Sequence, residues 1–289
     1  MFTLYIRRSL ALFLLALIPF TASAHQPRLV TSPSMNVIDP EVSKAYYGTL
    51  SGAPHIFHIA SDKPFMLYVN ILVPAIVNQK TDVSTVVIQS GGTSTPLALL
   101  GGVNGIWKLM FEEFAHDNYL QSGEYKAEAP AGEYDLWVSS AQNDSKYVLA
   151  VGETEDFNPK EIVNALVLVP KIKSDFFVES PISFILSVYG IGYIIMMFAL
   201  AALFGLMYRY FLRKLAARSI AKTPRILGKN IGKRDRAVRA FFGLGLLLFA
   251  VTTSWSAWLL FFAGFCFFEA IFSWCGFYAA IGRTTCPVE

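Results

Sequence analysis

From Phe65 to Val73 the chain alternates, with Phe65, Leu67, Val69, Ile71 and Val73 on one side and Met66, Tyr68, Asn70 and Leu72 on the other. A period of two predicts a strand with one buried face. His55 to Ala60 reads as a second strand, set off by the turn Ser61–Pro64. Thr85 to Gln89 and Leu97 to Leu100 follow, bounded by Gly91-Gly92 and Gly101-Gly102. Pro130–Glu133 turns the chain into Tyr134–Ser139, and Gln142–Ser145 turns it into Tyr147–Val151. Short strands recurring between turns from Val42 to Val151 predict an antiparallel β-sandwich over residues 25–152.

The pattern then changes. Residues 153–180 begin acidic and carry an apolar patch, Ala165 to Val169, which reads as a connector on the membrane-facing side of the domain. Residues 181–208 form an apolar run with no charge inside it, long enough at 1.5 Å per residue to span ~30 Å of hydrocarbon. Ala201 and Gly205 lie four apart on one face of that helix, and small residues at this spacing permit close helix contact. After residue 239 the chain is apolar from Ala240 to Val251, polar from Thr252 to Ser256 and apolar again from Ala257 to Ile281. Residues 240–282 therefore predict a helical hairpin, with Trp255 and Trp258 where interfacial aromatics belong, and residues 283–289 a short tail. The expected total is three transmembrane helices.

Charge orients this arrangement. Residues 25–181 hold ten basic and eighteen acidic side chains, whereas residues 209–239 hold eleven basic and one acidic. The overall charge of +3 hides the segregation and gives no argument for nucleic acid. A basic belt between apolar runs belongs on the cytoplasmic side, where it also meets anionic lipid. Residues 1–24 have the form of a cleavable secretory signal: Arg7 and Arg8, an apolar core Leu10–Phe20, and Ala22-Ser23-Ala24. The sandwich is thus expected in the periplasm and the C-terminus in the cytoplasm of a multi-pass inner-membrane protein. All three cysteines, Cys266, Cys275 and Cys286, lie near the C-terminus, so no disulfide framework holds the exported part.

The motif Asn230, Gly232, Asp235, Arg236 and Arg239, followed by the hairpin and by Cys275, Tyr278, Gly282 and Thr285-Cys286, resembles the YgaP-like transmembrane domain of bacteria. That family has no assigned function. The resemblance covers the last sixty or so residues and implies an inner-membrane module that self-associates as a homo-oligomer. The family has proline after the first of these cysteines, where this chain has Gly276. The stretches Gly132–Ser140 and Lys146–Gly152 are similar to the last hairpin of prepeptidase-C-terminal-type β-sandwiches.

Candidate chemistry is sparse. No nucleophile elbow, P-loop, dinucleotide fingerprint, HExxH or Cys-x-x-Cys is present, so no catalytic motif marks an enzyme. Glu112, Glu113 and Asp117 read as a solvated acidic loop, with a carboxylate pair or calcium ligands as the sharper alternative. Asp235 reads as a brace for its helix start or as a solvated charge. Glu269 is the single acidic residue inside an expected span and either pairs with Arg236 or Arg239 or serves a transport pathway. Cys275 and Cys286 read as packed thiols, or as a redox pair or metal ligands, and Cys266 as packing. His25, at the mature N-terminus, could chelate copper with His55, His58 or His116. However, His55 and His58 stand three apart on a strand and point to opposite faces. The leading expectation is a periplasmic sandwich that binds a protein or small ligand, anchored by helices in lipid. A copper or thiol-redox protein, and a transport subunit centred on Glu269, are the other classes.

Overall fold

The computed structural model describes residues 25–91, 95–156, 158–218 and 228–286. The expected signal sequence and residues 219–227 of the basic segment lie outside the described residues. The described chain divides into two compact units, one ending at Ser187 and one beginning at Val188.

The first unit is a two-sheet sandwich. Its strands are β1 Gln26–Leu29, β2 Ser34–Val37, β3 Lys44–Thr49, β4 His55–Ser61, β5 Phe65–Pro74 and β6 Ser84–Gln89. They continue as β7 Ala98–Gly101, β8 Lys108–Glu112, β9 Asp117–Ala129, β10 Gly132–Ser139 and β11 Lys146–Val151. One sheet has the order β1-β3-β11-β5-β9-β8 and the other β2-β4-β10-β6-β7. Both sheets are mixed, which corrects the antiparallel expectation: β1 pairs with β3 and β2 with β4 in parallel. The chain alternates between sheets over β1 to β4, so each pair is joined by a crossover through the opposite sheet, the connection that parallel neighbours require. Phe57, Ile59, Leu136 and Val138 from one sheet meet Leu67, Val69, Ile71 and Leu149 from the other in a single core.

The alternation in β5 proves to mark two buried faces rather than one. Met66 alone of its residues is exposed. The reason is α1, Pro159–Asp175, which lies where a connector was expected. Asn158 caps it, accepting from the backbone N–H groups of Lys160 and Glu161 at 3.1 Å each, and Pro159 opens the first turn. Its Ile172, with Phe176 and Phe177 beyond its end, packs on Ala45, Leu72, Tyr119 and Val148, covering the outer face of the six-stranded sheet.

The second unit is helical: α2 Val188–Arg218, α3 Lys233–Thr253, α4 Ala257–Phe272 and α5 Gly276–Ile281. Two of the three expected spans are long and apolar enough to cross a membrane, Tyr189–Leu215 and Lys233–Thr253. The first starts later than the apolar run does, because Pro181–Leu186 forms a 3-10 turn closed by the Ser187 hydroxyl on the Phe184 carbonyl. The last apolar run is not one helix. It breaks at Ser273, whose backbone is left-handed (φ 53°), leaving α4 with 16 residues. α4 packs against both α2 and α3.

Candidate functional site

On the sandwich, the Ile38–Val42 segment after β2 and the Asp62-Lys63 turn after β4 border an open groove of about 520 Å³. Ile38, Asp39, Glu41, His58, Asp62 and Phe65 are among its lining residues. The Asp39 backbone is left-handed (φ 49°), and Lys44 Nζ donates to the Asp39 carbonyl at 2.9 Å, fixing the segment. One oxygen of Glu41 accepts the Met66 N–H at 3.1 Å. Among the described residues neither Asp39 nor Asp62 forms an ion pair within 4.0 Å, although the Lys44 charge acts on Asp39, and the lining holds three carboxylates, Asp39, Glu41 and Asp62, against Lys63. His58 stands at its edge, with Nδ1 2.6 Å from Asp135 Oδ1 and Nε2 3.0 Å from Ser34 Oγ.

The other histidines lie in separate settings. His25 Nδ1 is 2.5 Å from Ser43 Oγ, and burial lowers its pKa. His55 is buried with Nδ1 2.7 Å from the Tyr147 hydroxyl. His116 is exposed in the β8–β9 turn with its ring edge-on to Phe111. The chelating set imagined from sequence is not brought together, and the described residues contain no group of three His, Cys, Asp or Glu side chains placed to hold a metal.

The acidic loop expected around Glu112 is a tight turn packed beneath α1. Asp117 is only 2% exposed, and Lys173, in the last turn of α1, is fully buried with Nζ 2.5 Å from Asp117 Oδ1. The solvated reading is therefore corrected for Asp117, although Glu113 is exposed. Desolvation pushes the Asp117 carboxyl up to about 6 even against the pull of Lys173. Glu112 is pushed up to about 7 by burial, with the N–H groups of Ala115 and Phe114 pulling the other way. No motif could have flagged Lys173, because its partner lies 56 positions away.

In the helical unit the residues that carry the family resemblance converge. Asn230 is fully buried, and its amide binds the backbone of one residue twice: Nδ2 donates to the Cys275 carbonyl at 2.9 Å and Oδ1 accepts the Cys275 N–H at 2.7 Å. The Ser273 carbonyl accepts the N–H groups of Asn230 and Ile231, and the Asn230 carbonyl accepts that of Thr285. Thr285 Oγ1 accepts the Gly232 N–H and donates to Asp235 Oδ2, both at 3.0 Å. Asp235 pairs with Arg239 at 3.1 Å, and Arg239 pairs in turn with Glu269, which is 4% exposed. The Arg239 guanidinium lies 5.1 Å over the Tyr278 ring, and Arg236 Nε donates to the Ala270 carbonyl at 2.6 Å. Three chain segments are thus tied by one continuous network in which Asp235, Arg239 and Glu269 pair with one another and Arg236 meets a backbone carbonyl. Asp235 acts as a brace, and Glu269 reaches Arg239.

Residues 227–289 match the family model for the transmembrane domain of YgaP-like inner membrane proteins. The whole network just described falls inside this YgaP-like segment. The match and the two candidate spans together support a membrane location. No curated protein matches the chain. Among solved structures, a pre-peptidase C-terminal domain of a collagenase from Bacillus anthracis is similar at 15% identity over 44% of this chain and 96% of its own, with a TM-score of 0.26.

Helix α2 precedes the YgaP-like segment but packs against it. A Cβ on Gly264 would lie 2.9 Å from the Phe198 backbone, and one on Gly205 would collide with the Phe268 ring. Gly276, the departure from the family pattern, has the same cause: a side chain there would strike the Tyr208 ring of α2. Cys275 is buried, while Cys286 Sγ lies 3.6 Å from the Lys229 carbonyl; both are free thiols, as is Cys266.

Proposed function

We propose that this chain is a multi-pass inner-membrane protein that displays its sandwich in the periplasm, where the sandwich binds a cationic ligand. Orientation is supported by the charge segregation, eleven basic and one acidic side chain in residues 209–239 against ten and eighteen in residues 25–181. The helices anchor the sandwich to the membrane. The observation that carries the binding function is the groove. Its volume of about 520 Å³ suits a small ligand, and its two unpaired carboxylates, Asp39 and Asp62, select a positive one.

Fluorescence anisotropy of a fluorescein-labelled tri-lysine peptide with the full chain in detergent tests this. Binding should weaken as salt rises, and a tri-glutamate peptide should not bind. Each partly exposed charge pair contributes roughly 0.2–1 kcal/mol, so Asp39→Asn with Asp62→Asn should weaken binding by about 2- to 30-fold. Tri-lysine affinity unchanged in that double variant removes the groove as the site.

A further inference from the structure

We propose that Ser34, His58 and Asp135 form a nucleophile–base–carboxylate triad and that the sandwich hydrolyses carboxylic esters at this place. The three residues stand on adjacent strands, β2, β4 and β10, on the outer face of the five-stranded sheet. His58 lies directly opposite Asp135, and Ser34 sits one pleat along from Asn36, the residue opposite His58. The contacts link the atoms such a triad requires. Asp135 Oδ1 is 2.6 Å from His58 Nδ1, and His58 Nε2 is 3.0 Å from Ser34 Oγ. A carboxylate only accepts hydrogen bonds, so Nδ1 carries the ring proton and Nε2 presents its lone pair to the Ser34 hydroxyl. Ser90 Oγ donates to the other Asp135 oxygen at 3.0 Å and holds that carboxylate in line.

Two further features suit acyl chemistry. The strand β2 is an edge strand, and the Ile56 N–H bonds to the Pro33 carbonyl, so Pro33 and Met35 turn their polar backbone groups toward β4. By alternation, Ser34 and Asn36 turn theirs to the open edge. Among the described residues the Asn36 N–H has no partner, and that of Ser34 meets Ser32 Oγ at 3.4 Å. Both are placed to donate to a carbonyl oxygen as it gains negative charge. Asn36 and His58 also line the acidic groove, which makes a cation-bearing ester the substrate class; this part rests on the groove reading.

The step balances without a cofactor. Ser34 Oγ bonds to the ester carbonyl carbon while its proton passes to His58 Nε2. The carbon–oxygen bond to the alcohol breaks, and the alcohol leaves with that proton. Water, deprotonated by His58, then releases the acid and restores Ser34. Asp135 is a positioning residue. Motif searching could not reveal this set, because its members are separated by 24 and 77 positions and triads are defined by geometry.

The test uses the full chain in detergent with a fluorescent fluorophosphonate, peptide mass spectrometry of the labelled site, and acid release from acetylcholine. Wild type should be labelled at Ser34 and release acid. Ser34→Ala should abolish both, and His58→Gln should slow labelling about 100-fold or more. For Asp135→Asn, nitrogen-15 shifts of the His58 ring should report the switch from an Nδ1–H to an Nε2–H tautomer alongside lost labelling. Folding of each variant is checked by its melting curve, and these side chains lie at the surface. Labelling equal in wild type and Ser34→Ala overturns the triad. If tri-lysine still binds in that case, the groove reading survives alone; if Ser34 is labelled but tri-lysine does not bind, the triad stands and the cationic preference falls.

Discussion

Replacing Lys173 with Met should destabilise the sandwich by an amount that grows with pH. In the native protein Lys173 is fully buried against Asp117, and desolvation already pushes Asp117 up to about 6 from its ordinary 3.8. Its second oxygen has no hydrogen-bond partner, so the lysine is the main group favouring the charged form. Glu179 stands 3.9 Å from Lys173 and is half-exposed, so it adds little. Without the lysine, Asp117 keeps its proton well above pH 6, while the unfolded chain has already lost it. A folded state that holds one more proton than the unfolded state loses stability as pH rises, at about 1.4 kcal/mol per unit. The native carboxyl stops paying this cost near 6, and the variant does not. With Asp117 still protonated at pH 8, the variant should therefore lose about 2 kcal/mol more than wild type between pH 6 and pH 8. Below pH 5 both proteins hold the proton, and the remaining difference reflects packing together with the cost of burying the Lys173 ammonium beside a neutral carboxyl. Urea unfolding of the full chain in detergent, followed by sandwich tryptophan fluorescence at each pH, measures this. A stability loss that stays constant from pH 6 to pH 8 would refute the buried, lysine-compensated Asp117.

Two further substitutions probe the helical unit. Asn230→Ala leaves the Cys275 N–H buried without its partner, at about 1–3 kcal/mol, while the Cys275 carbonyl keeps the Ala279 N–H, and it should lower the melting temperature in detergent and speed amide exchange around residues 273–276. Unchanged exchange there would show that the amide does not hold this turn. Gly264→Val places a side chain into the Phe198 backbone, so α2 should separate from α4, whereas the same change at Gly245, which faces open space, should leave packing intact. Crosslinking between cysteines placed at positions 198 and 267, whose native rings lie 5.6 Å apart, reads the separation, and equal yields in both variants would contradict the close approach.

What the sequence revealed depended on how local each signal was. The alternation in β5 and the glycine-bounded runs of β6 and β7 appear within one strand, and they were legible. The four-residue strands β1 and β2 are too short to show a period, so the parallel pairs they make were hidden, and with them the mixed character of both sheets. The longest strand, β9, carries Glu124, Lys126 and Glu128 on its outward positions, and its pattern was too polar to stand out as a strand. In the helical unit the motif around Asn230 and the terminal cysteines identified the residues that converge, and the pairing of Glu269 with a nearby arginine followed from the cost of an isolated buried charge. The Lys173–Asp117 pair and the strip joining Ser34, His58 and Asp135 link distant strands and helices, and only the fold brings them together. Gly276 looked like a defect in a family pattern until Tyr208 appeared against it.

The central claim is that the acidic sandwich and the basic segment lie on opposite sides of the inner membrane. Fusions ending at residue 150 and at residue 225, each carrying alkaline phosphatase or green fluorescent protein, measure this directly. An active phosphatase and a dark fluorophore are expected at residue 150, and the reverse at residue 225. Fluorescence at residue 150, or phosphatase activity at residue 225, would contradict it.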